Sequence, residues 1–505
     1  MGCKSAKMRR LAVLVTAIAW IAPAILQAQS EKPRRPNILF AIADDASWPH
    51  MSAYGCKFIS TPAFDRIARE GALFNNCFTP TPKCSPSRAA LLTGKNPWQL
   101  EDAANHFGLF PAKFKVFPDV LESAGYAVGH TGKGWGPGNF QKGGFKRNPA
   151  GPGWNGAKLT PPTSGISDND YAANFQAFLQ SREKDQPFCF WYGGHEPHRL
   201  YEPGSGLKAG KKLSDVTLSP YFPDSDEIRS DILDYALEIE WFDKQFGRML
   251  EMLKTAGELE NTLIVVTADN GMPFPRVKGH VFEDACHLPL AMRWGGVIKA
   301  GRTIDDLVSF IDIAPTFLDA AGVAPSQPMT GRSLVEVLKS DASGQIDPAR
   351  VQVVLGRERE DLGRPGDVGY PVRSLRTREW FYSRNFAPDR WPAGDPETGY
   401  SDIDASPTKK LIVDRGEADR FHQLALAKRP AEELYNLTTD PHCVANLAEN
   451  QSSSVVKARM WAELEGLLKQ QQDPRVLGKG DVFDTYESFG NPKTRWDFIV
   501  GKKPK

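Results

Sequence analysis

The chain has 505 residues, 41% of them hydrophobic and 24% charged, enough to bury one large core and a smaller one. Its 62 basic and 61 acidic side chains leave a formal net charge of +1. No whole-molecule field therefore draws it to nucleic acid or to an anionic membrane, and an anionic substrate has to be held by local positive groups.

The first residues carry Lys4, Lys7, Arg9 and Arg10, then an apolar run from Leu11 to Ile25, then Leu26, Gln27 and Ala28. That order reads as a secretory signal over residues 1–28, because the apolar run is shorter than the roughly 20 residues that cross a bilayer. No later segment spans one, so the mature chain is expected to be periplasmic or secreted. Beyond the signal, Cys56, Cys77, Cys84, Cys189, Cys286 and Cys443 are too sparse for a disulfide framework. Cys56 and Cys77 are a candidate pair that spacing alone does not decide.

Asn37 to Ala43 is nearly continuous apolar sequence, the pattern of a strand buried on both faces of a parallel sheet, and Asp44 and Asp45 follow at once. Two carboxylates thus crown a strand end, the edge at which open α/β sheets bind ligands, and like charges there repel unless a cation sits between them. Thr61 and Pro62 open a helix that Gly71 closes, a packing element. In the run Cys84-Ser85-Pro86-Ser87-Arg88-Ala89-Ala90-Leu91-Leu92-Thr93-Gly94, Pro86 suits a first helical turn and Gly94 an end. Cys84 then lies at an electropositive helix start with Arg88 one turn along. A helix from Phe117 to Gly125 and a short strand from Tyr126 to Val128 lead to Gly132 and Lys133, which reaches the same edge.

The strand Phe188 to Tyr192 runs into Gly193 and Gly194, which let the chain turn and present His195 and His198. A zinc site is disfavoured, since Pro197 opposes a helical His-x-x-x-His arrangement and no cysteine pair completes it. Apolar residues from Asp231 to Leu253 recur at helical spacing and need no functional explanation. Leu263 to Ala268 is a further strand, delivering Asp269 and Asn270. With Asp44 and Asp45 these make a site of hard oxygen donors suited to Ca²⁺ or Mg²⁺.

The Cys84–Gly94 run resembles the sulfatase signature, and similar motifs recur from Asn37 to about Leu447. The resemblance implies an alkaline-phosphatase-like α/β fold, a large mixed, mostly parallel sheet sandwiched by helices, with a smaller C-terminal α+β domain. It implies that a maturation enzyme oxidises Cys84 to formylglycine, whose hydrate attacks the sulfur of a sulfate ester. It points to one Ca²⁺ held by Asp44, Asp45, the modified Cys84, Asp269 and Asn270. Arg88, Lys133 and Lys278 would complete a cation shell around the sulfate, and His195 would protonate the leaving oxygen. His195 to Arg199, Asp269 to Pro275 and Tyr370 to Ser374 look closest to the N-sulfoglucosamine sulfohydrolase (heparan N-sulfatase) branch, which favours a sulfated glycan substrate.

One position departs from the pattern. Trp135 stands where the family's Gly-Lys-x-His has its histidine, the side chain suited to proton transfer near neutral pH. His130 and His280 are candidate substitutes. The expected organisation is a signal at 1–28, a catalytic domain at 33–350, a smaller domain at 351–475 and a tail at 476–505 that drapes the surface. The smaller domain's charged loops are expected to border the cleft. Substrate choice is expected in the loops Trp135 to Asp168 and Asn385 to Arg390. Two other readings are a phosphoester or phosphonate hydrolase of the same superfamily, and a non-catalytic glycan-binding homologue.

Overall fold

The computed structural model describes residues 1–3 and 34–501, so the expected signal lies almost wholly outside the described residues. β1 (Asn37–Ala43) is buried at every position because it is flanked on both sides, by β4 (Phe188–Gly193) and by β5 (Thr262–Ala268), each parallel to it. β3 (Ala127–Gly132) extends the sheet, parallel to β4. On the other side β6 (His287–Trp294) is antiparallel to β5 and to β2 (Ala72–Phe78). Short β7 (Arg302–Ile304) and β8 (Val308–Ser309) lie parallel to β2. The sheet is therefore mixed and mostly parallel, with eight strands and main order β3-β4-β1-β5-β6-β2-β7.

Helices cover both faces. Phe40 and Ala41 point to opposite sides of β1. Phe40 meets Phe317 of the helix Ile313–Ala320, ring centroids 5.6 Å apart. Tyr192, in register with Ala41, stacks on Phe242 at 4.9 Å from the other side. Phe242 belongs to α6, which follows α1 (Pro62–Glu70), α2 (Cys84–Thr93), α3 (Phe117–Ser123), α4 (Tyr171–Ser181) and the single turn α5 (Ser205–Lys208). α6 runs Asp226–Thr255, longer than its apolar stripe suggests, because Ser225 caps it by accepting from the Glu227 N–H.

The smaller C-terminal domain is built on an antiparallel sheet of β9 (Gln352–Arg357), β10 (Val372–Thr377), β11 (Trp380–Asn385) and β12 (Glu432–Asn436). The helix Ser454–Gln470 lays Met460, Leu464 and Leu468 on it, in a cluster with Leu375, Tyr382 and Leu434. Ion pairs and hydrogen bonds join the two sheets closely, among them Arg376 to Glu283 at 2.8 Å and the Gly356 N–H to Pro80 O at 2.8 Å. The described residues from Arg35 onward accordingly form one compact unit.

Two expectations change here. The segment after Gly478 does more than drape the surface: Phe483 is buried, and the N–H groups of Phe489 and Trp496 donate to Phe107 O and Leu362 O. Cys56 and Cys77 are both free thiols, as is every described cysteine, so the candidate pair is unbridged.

Glu238 on α6 is 1% exposed, and neither carboxyl oxygen has a hydrogen-bond partner among the described residues. Burial, reinforced by the Glu196 carboxylate and opposed by Arg199, pushes its pKa up to about 9. Above about pH 4.5 the unfolded chain ionises this group while the folded chain keeps it protonated, so its cost to stability grows with pH until about 9. Glu238→Gln is expected to stabilise the protein at pH 7 by about 2–3 kcal/mol, with no gain near pH 4.5 and a larger one at pH 8. Thermal unfolding of both proteins across that range checks this; a gain independent of pH would contradict it.

Candidate active site

Strand register assembles the site. Ala43 lies opposite Ala268, Ile42 opposite Gly193, and Gly193 opposite Gly132. Four parallel strands thus end level, and Asp44, Asp269, Lys133 and the Gly194–His195 turn leave the sheet at one edge. The chain turns sharply at Asp45, whose φ of 77° is in the left-handed region, costly for a non-glycine residue. That turn aims the Asp45 N–H at Asp269 Oδ1, 3.0 Å away.

Cys84 is the first residue of α2, and the helix stops at Gly94, whose φ of 66° lets its N–H donate to Ala90 O. One turn along, Arg88 is fully buried. Its Nε donates to Asp269 Oδ2 at 2.8 Å and its Nη1 to Lys133 O and Gly134 O at 2.7 and 2.9 Å. This guanidinium ties α2, β5 and the β3 exit into one rigid floor. Its Nη2 has no hydrogen-bond acceptor among the described residues and lies 3.7 Å from Asp44 Oδ1.

Three buried carboxylates face three buried cations. Lys133 Nζ contacts both oxygens of Asp44 at 2.8 and 2.6 Å, and Lys278 Nζ contacts Asp45 Oδ2 at 2.6 Å. Burial alone would raise the Asp44 carboxyl, but Lys133, with His198, Arg88 and Lys278, holds it well below the usual range. Asp269 goes the other way: burial, with Asp44 beside it, outweighs Arg88 and raises it. Burial would lower Lys133 and Lys278, yet their carboxylate partners raise both, which keeps them cationic at neutral pH.

The oxygen donors suit a hard divalent cation. Ligand atoms of Asp44, Asp45 and Cys84 lie within 4.8 Å of one another. Asn270 commits its Nδ2 to Asp45 Oδ1 at 2.8 Å, while its buried Oδ1 has no donor among the described residues. An orphaned carbonyl oxygen among three carboxylates is the arrangement a calcium-type ion satisfies.

His195 opens onto the cleft. Its N–H donates to Tyr171 Oη at 3.1 Å, and that hydroxyl donates to Glu196 Oε2 at 2.9 Å, which pins the turn. Dehydration by the surrounding protein, aided by Lys133 and Arg88 and opposed by Asp44, lowers the ring's pKa to about 4. His198 stands 3.9 Å from Asp45 Oδ2.

A cleft of about 680 Å³ opens above this floor, and Asp44, Cys84, Lys133, His195, His198 and Lys278 line it. Trp135 does not. Its ring is 3% exposed, packs 5.1 Å from Phe110, and donates Nε1–H to Ser85 O at 3.0 Å, supporting the first turn of α2. Neither candidate substitute reaches the cleft: His130 bonds Gly151 O at 2.9 Å, and His280 is buried among Arg357, Arg276 and Arg429. The loop 135–168 supplies Gly136, Pro137, Gly165 and Ser167 to the lining, whereas 385–390 supplies none. In its place stand Asp361, Ser401 and Asp404 from the second domain and Asn491 and Thr494 from the tail, with Lys83 and His106. The smaller domain's charged loops thus border the cleft as expected, but sequence reasoning named none of these residues, although Lys83, beside Cys84, carried a positional hint.

Comparison with known proteins agrees with this geometry. The family model described as Sulfatase matches residues 36–323. An ulvan-active sulfatase of Formosa agariphila is 28% identical over 459 residues, covering 89% of this chain and 83% of its own. Human N-sulphoglucosamine sulphohydrolase is 28% identical over 506 residues, covering 90% and 94%. Among solved structures, a protein in complex with its substrate D-glucosamine-2-N,6-O-disulfate shares the fold, with TM-score 0.60 at 23% identity over 87% of this chain and 98% of that one.

Proposed function

The chain belongs to the sulfatase family of sulfuric ester hydrolases, and from that premise we propose that it removes O- or N-linked sulfate groups from a sulfated glycan. We place this activity in the periplasm or outside the cell, after a maturation enzyme has converted Cys84 to formylglycine. Asp44, Asp45, Asp269 and Asn270, with the modified Cys84, would hold one calcium ion. The observation that carries the reading is the convergence of Cys84, three carboxylates and three cations on one cleft floor.

Burial pushes the Cys84 thiol well above its usual range, and Lys133 offsets only part of that. A thiol held protonated is a poor nucleophile, which supports a modified side chain as the working form. When present, formylglycine supplies the attacking oxygen and the calcium ion offsets negative charge on the sulfuryl group. The chain's own residues do the rest. Lys133 and Lys278 meet the incoming anion, Arg88 fixes the carboxylates, and the Tyr171–Glu196 pair orients His195. The His195 ring, kept neutral by burial before substrate binds, would take up a proton as the sulfate's negative charge enters beside it and pass that proton to the leaving oxygen.

That role makes a specific demand. His195→Ala is expected to cost about 10²–10⁴-fold in kcat on a sugar sulfate, whose alkoxide leaves poorly without a proton. The loss should shrink to a few-fold on 4-nitrophenyl sulfate, whose phenolate leaves unaided. Equal losses on both substrates would remove His195 from leaving-group protonation.

The function is tested by sulfate release from N-, 2-O-, 3-O- and 6-O-sulfated saccharides, using protein whose Cys84 conversion is verified by mass spectrometry. Matching phosphate and phosphonate esters are run beside them. Release from at least one sulfated saccharide is expected. Faster cleavage of the phosphorus esters, or no release despite full conversion, would overturn the proposal.

A further inference from the structure

The outer half of the cleft differs in character from its floor. Every lysine and arginine lining the cleft is paired to a carboxylate: Lys83 to Asp361 at 2.8 Å, Lys133 to Asp44 at 2.6 Å, Arg199 to Asp231 at 2.7 Å, and Lys278 to both Asp45 and Asp404 at 2.6 and 3.0 Å. A polyanionic ligand needs unpaired positive charge along its track, and no lysine or arginine of this lining is without a carboxylate partner.

The two outer carboxylates are held and accessible. Asp361 receives Lys83 on Oδ2 and faces His106 Nδ1 from Oδ1 at 3.2 Å, while its side chain stays 18% exposed. Asp404 is held by an ion pair from Lys278 Nζ to its Oδ2 at 3.0 Å, its side chain is 27% exposed, and that Oδ2 has no hydrogen-bond donor among the described residues. A carboxylate offers about four acceptor positions, so both retain capacity for a ligand. What they accept must bring hydrogens: the hydroxyls, or an amide N–H, of a sugar ring. A second sulfate or a uronate carboxylate brings none, and would face like charge.

Resting on the sulfatase reading, we infer that Asp361 and Asp404 form a specificity subsite for the sugar ring that carries the scissile sulfate, and that it selects a ring otherwise uncharged and bearing free hydroxyls. Lys83, His106 and Lys278 are positioning residues for those carboxylates. The substrate class is thereby a monosulfated neutral hexose or hexosamine unit, and a disulfated ring or a sulfated uronate is disfavoured.

The test reads binding, so that it does not depend on turnover. Cys84→Ala protein is titrated with galactose 6-sulfate and galactose 2,6-disulfate, and with N-acetylglucosamine 6-sulfate and glucuronate 2-sulfate. The neutral monosulfated sugars are expected to bind at least tenfold tighter than their charged counterparts. Adding Asp404→Asn, or separately Asp361→Asn, should weaken the neutral sugars about tenfold and narrow the gap to the charged ones. A merely structural role would weaken all four ligands alike. Equal weakening, tighter binding of the charged sugars, or no binding of the neutral ones overturns the subsite. Failure of sulfate release by the wild-type protein, with this selectivity intact, would instead count against the sulfatase reading alone.

Discussion

Cys84→Ala is expected to abolish sulfate release, by on the order of 10⁴-fold or more, with the fold left intact. Among the described residues the other groups on the cleft floor are cations, carboxylates bound to those cations, and histidines, which leaves Cys84 as the source of the attacking atom there. The structural cost of the change is small. The Cys84 Sγ makes one long contact, 3.9 Å from Asp45 Oδ1, and the side chain is 1% exposed, so alanine leaves a methyl-sized gap worth about 1 kcal/mol. Arg88, which ties α2 to β5, is untouched. Ion chromatography of released sulfate, with melting temperatures of the two proteins, separates the effects. A variant that keeps more than a few per cent of the activity would show that Cys84 does not carry the reaction; one that loses activity and melts many degrees lower would leave the loss to misfolding.

How much of this was readable from the chain follows from where each signal is stored. β1, β4 and β5 announce themselves as apolar runs because a strand covered on both faces has no polar side to interrupt it. The residues just past those runs are fixed by chain connectivity alone, which is why Asp44, Asp45, His195, Asp269 and Asn270 could be named in advance. Cys84 and Arg88 are four apart on one helix, and that spacing places them on one side of it.

The cleft's outer wall has no such local code. Asp404 meets Lys278 across two domains, and Asp361 meets Lys83 over a sequence separation of 278 residues. Neither aspartate lies in a periodic segment or beside a turn signal that marks it. The tail differs from expectation for a related reason: the lysines past Gly478 read as solvent-facing, while single residues such as Phe483 decide where it docks. Trp135 was noticed as a departure from a pattern, but only packing shows its work, with the indole against Phe110 and its N–H on Ser85 O. A missing histidine in a motif thus turned out to be a core aromatic that supports the nucleophile's helix.

Removal of divalent cations is expected to lower activity to near background and to destabilise the protein by about 3 kcal/mol relative to calcium at a hundredfold excess over its Kd. The argument rests on what surrounds the donors. Asp44, Asp45 and Asp269 are each at most 1% exposed, so water does not separate their charges, and in such burial repulsion between carboxylates is strong. Lys133, Lys278 and Arg88 offset part of it, but each is hydrogen-bonded to one carboxylate only of the three, which leaves the space between the carboxylates and Asn270 Oδ1 uncompensated. A divalent ion there stabilises the folded chain and has no equivalent site in the unfolded one. Melting temperature after treatment with EGTA should therefore fall by several degrees and recover on adding Ca²⁺. Asp269→Asn should blunt both the fall and the recovery, because it removes one donor charge while keeping the shape that Arg88 packs against. An unchanged melting temperature through chelation and calcium addition would mean that the three lysine and arginine contacts suffice, and that the oxygen cluster serves the cations of the protein rather than a metal.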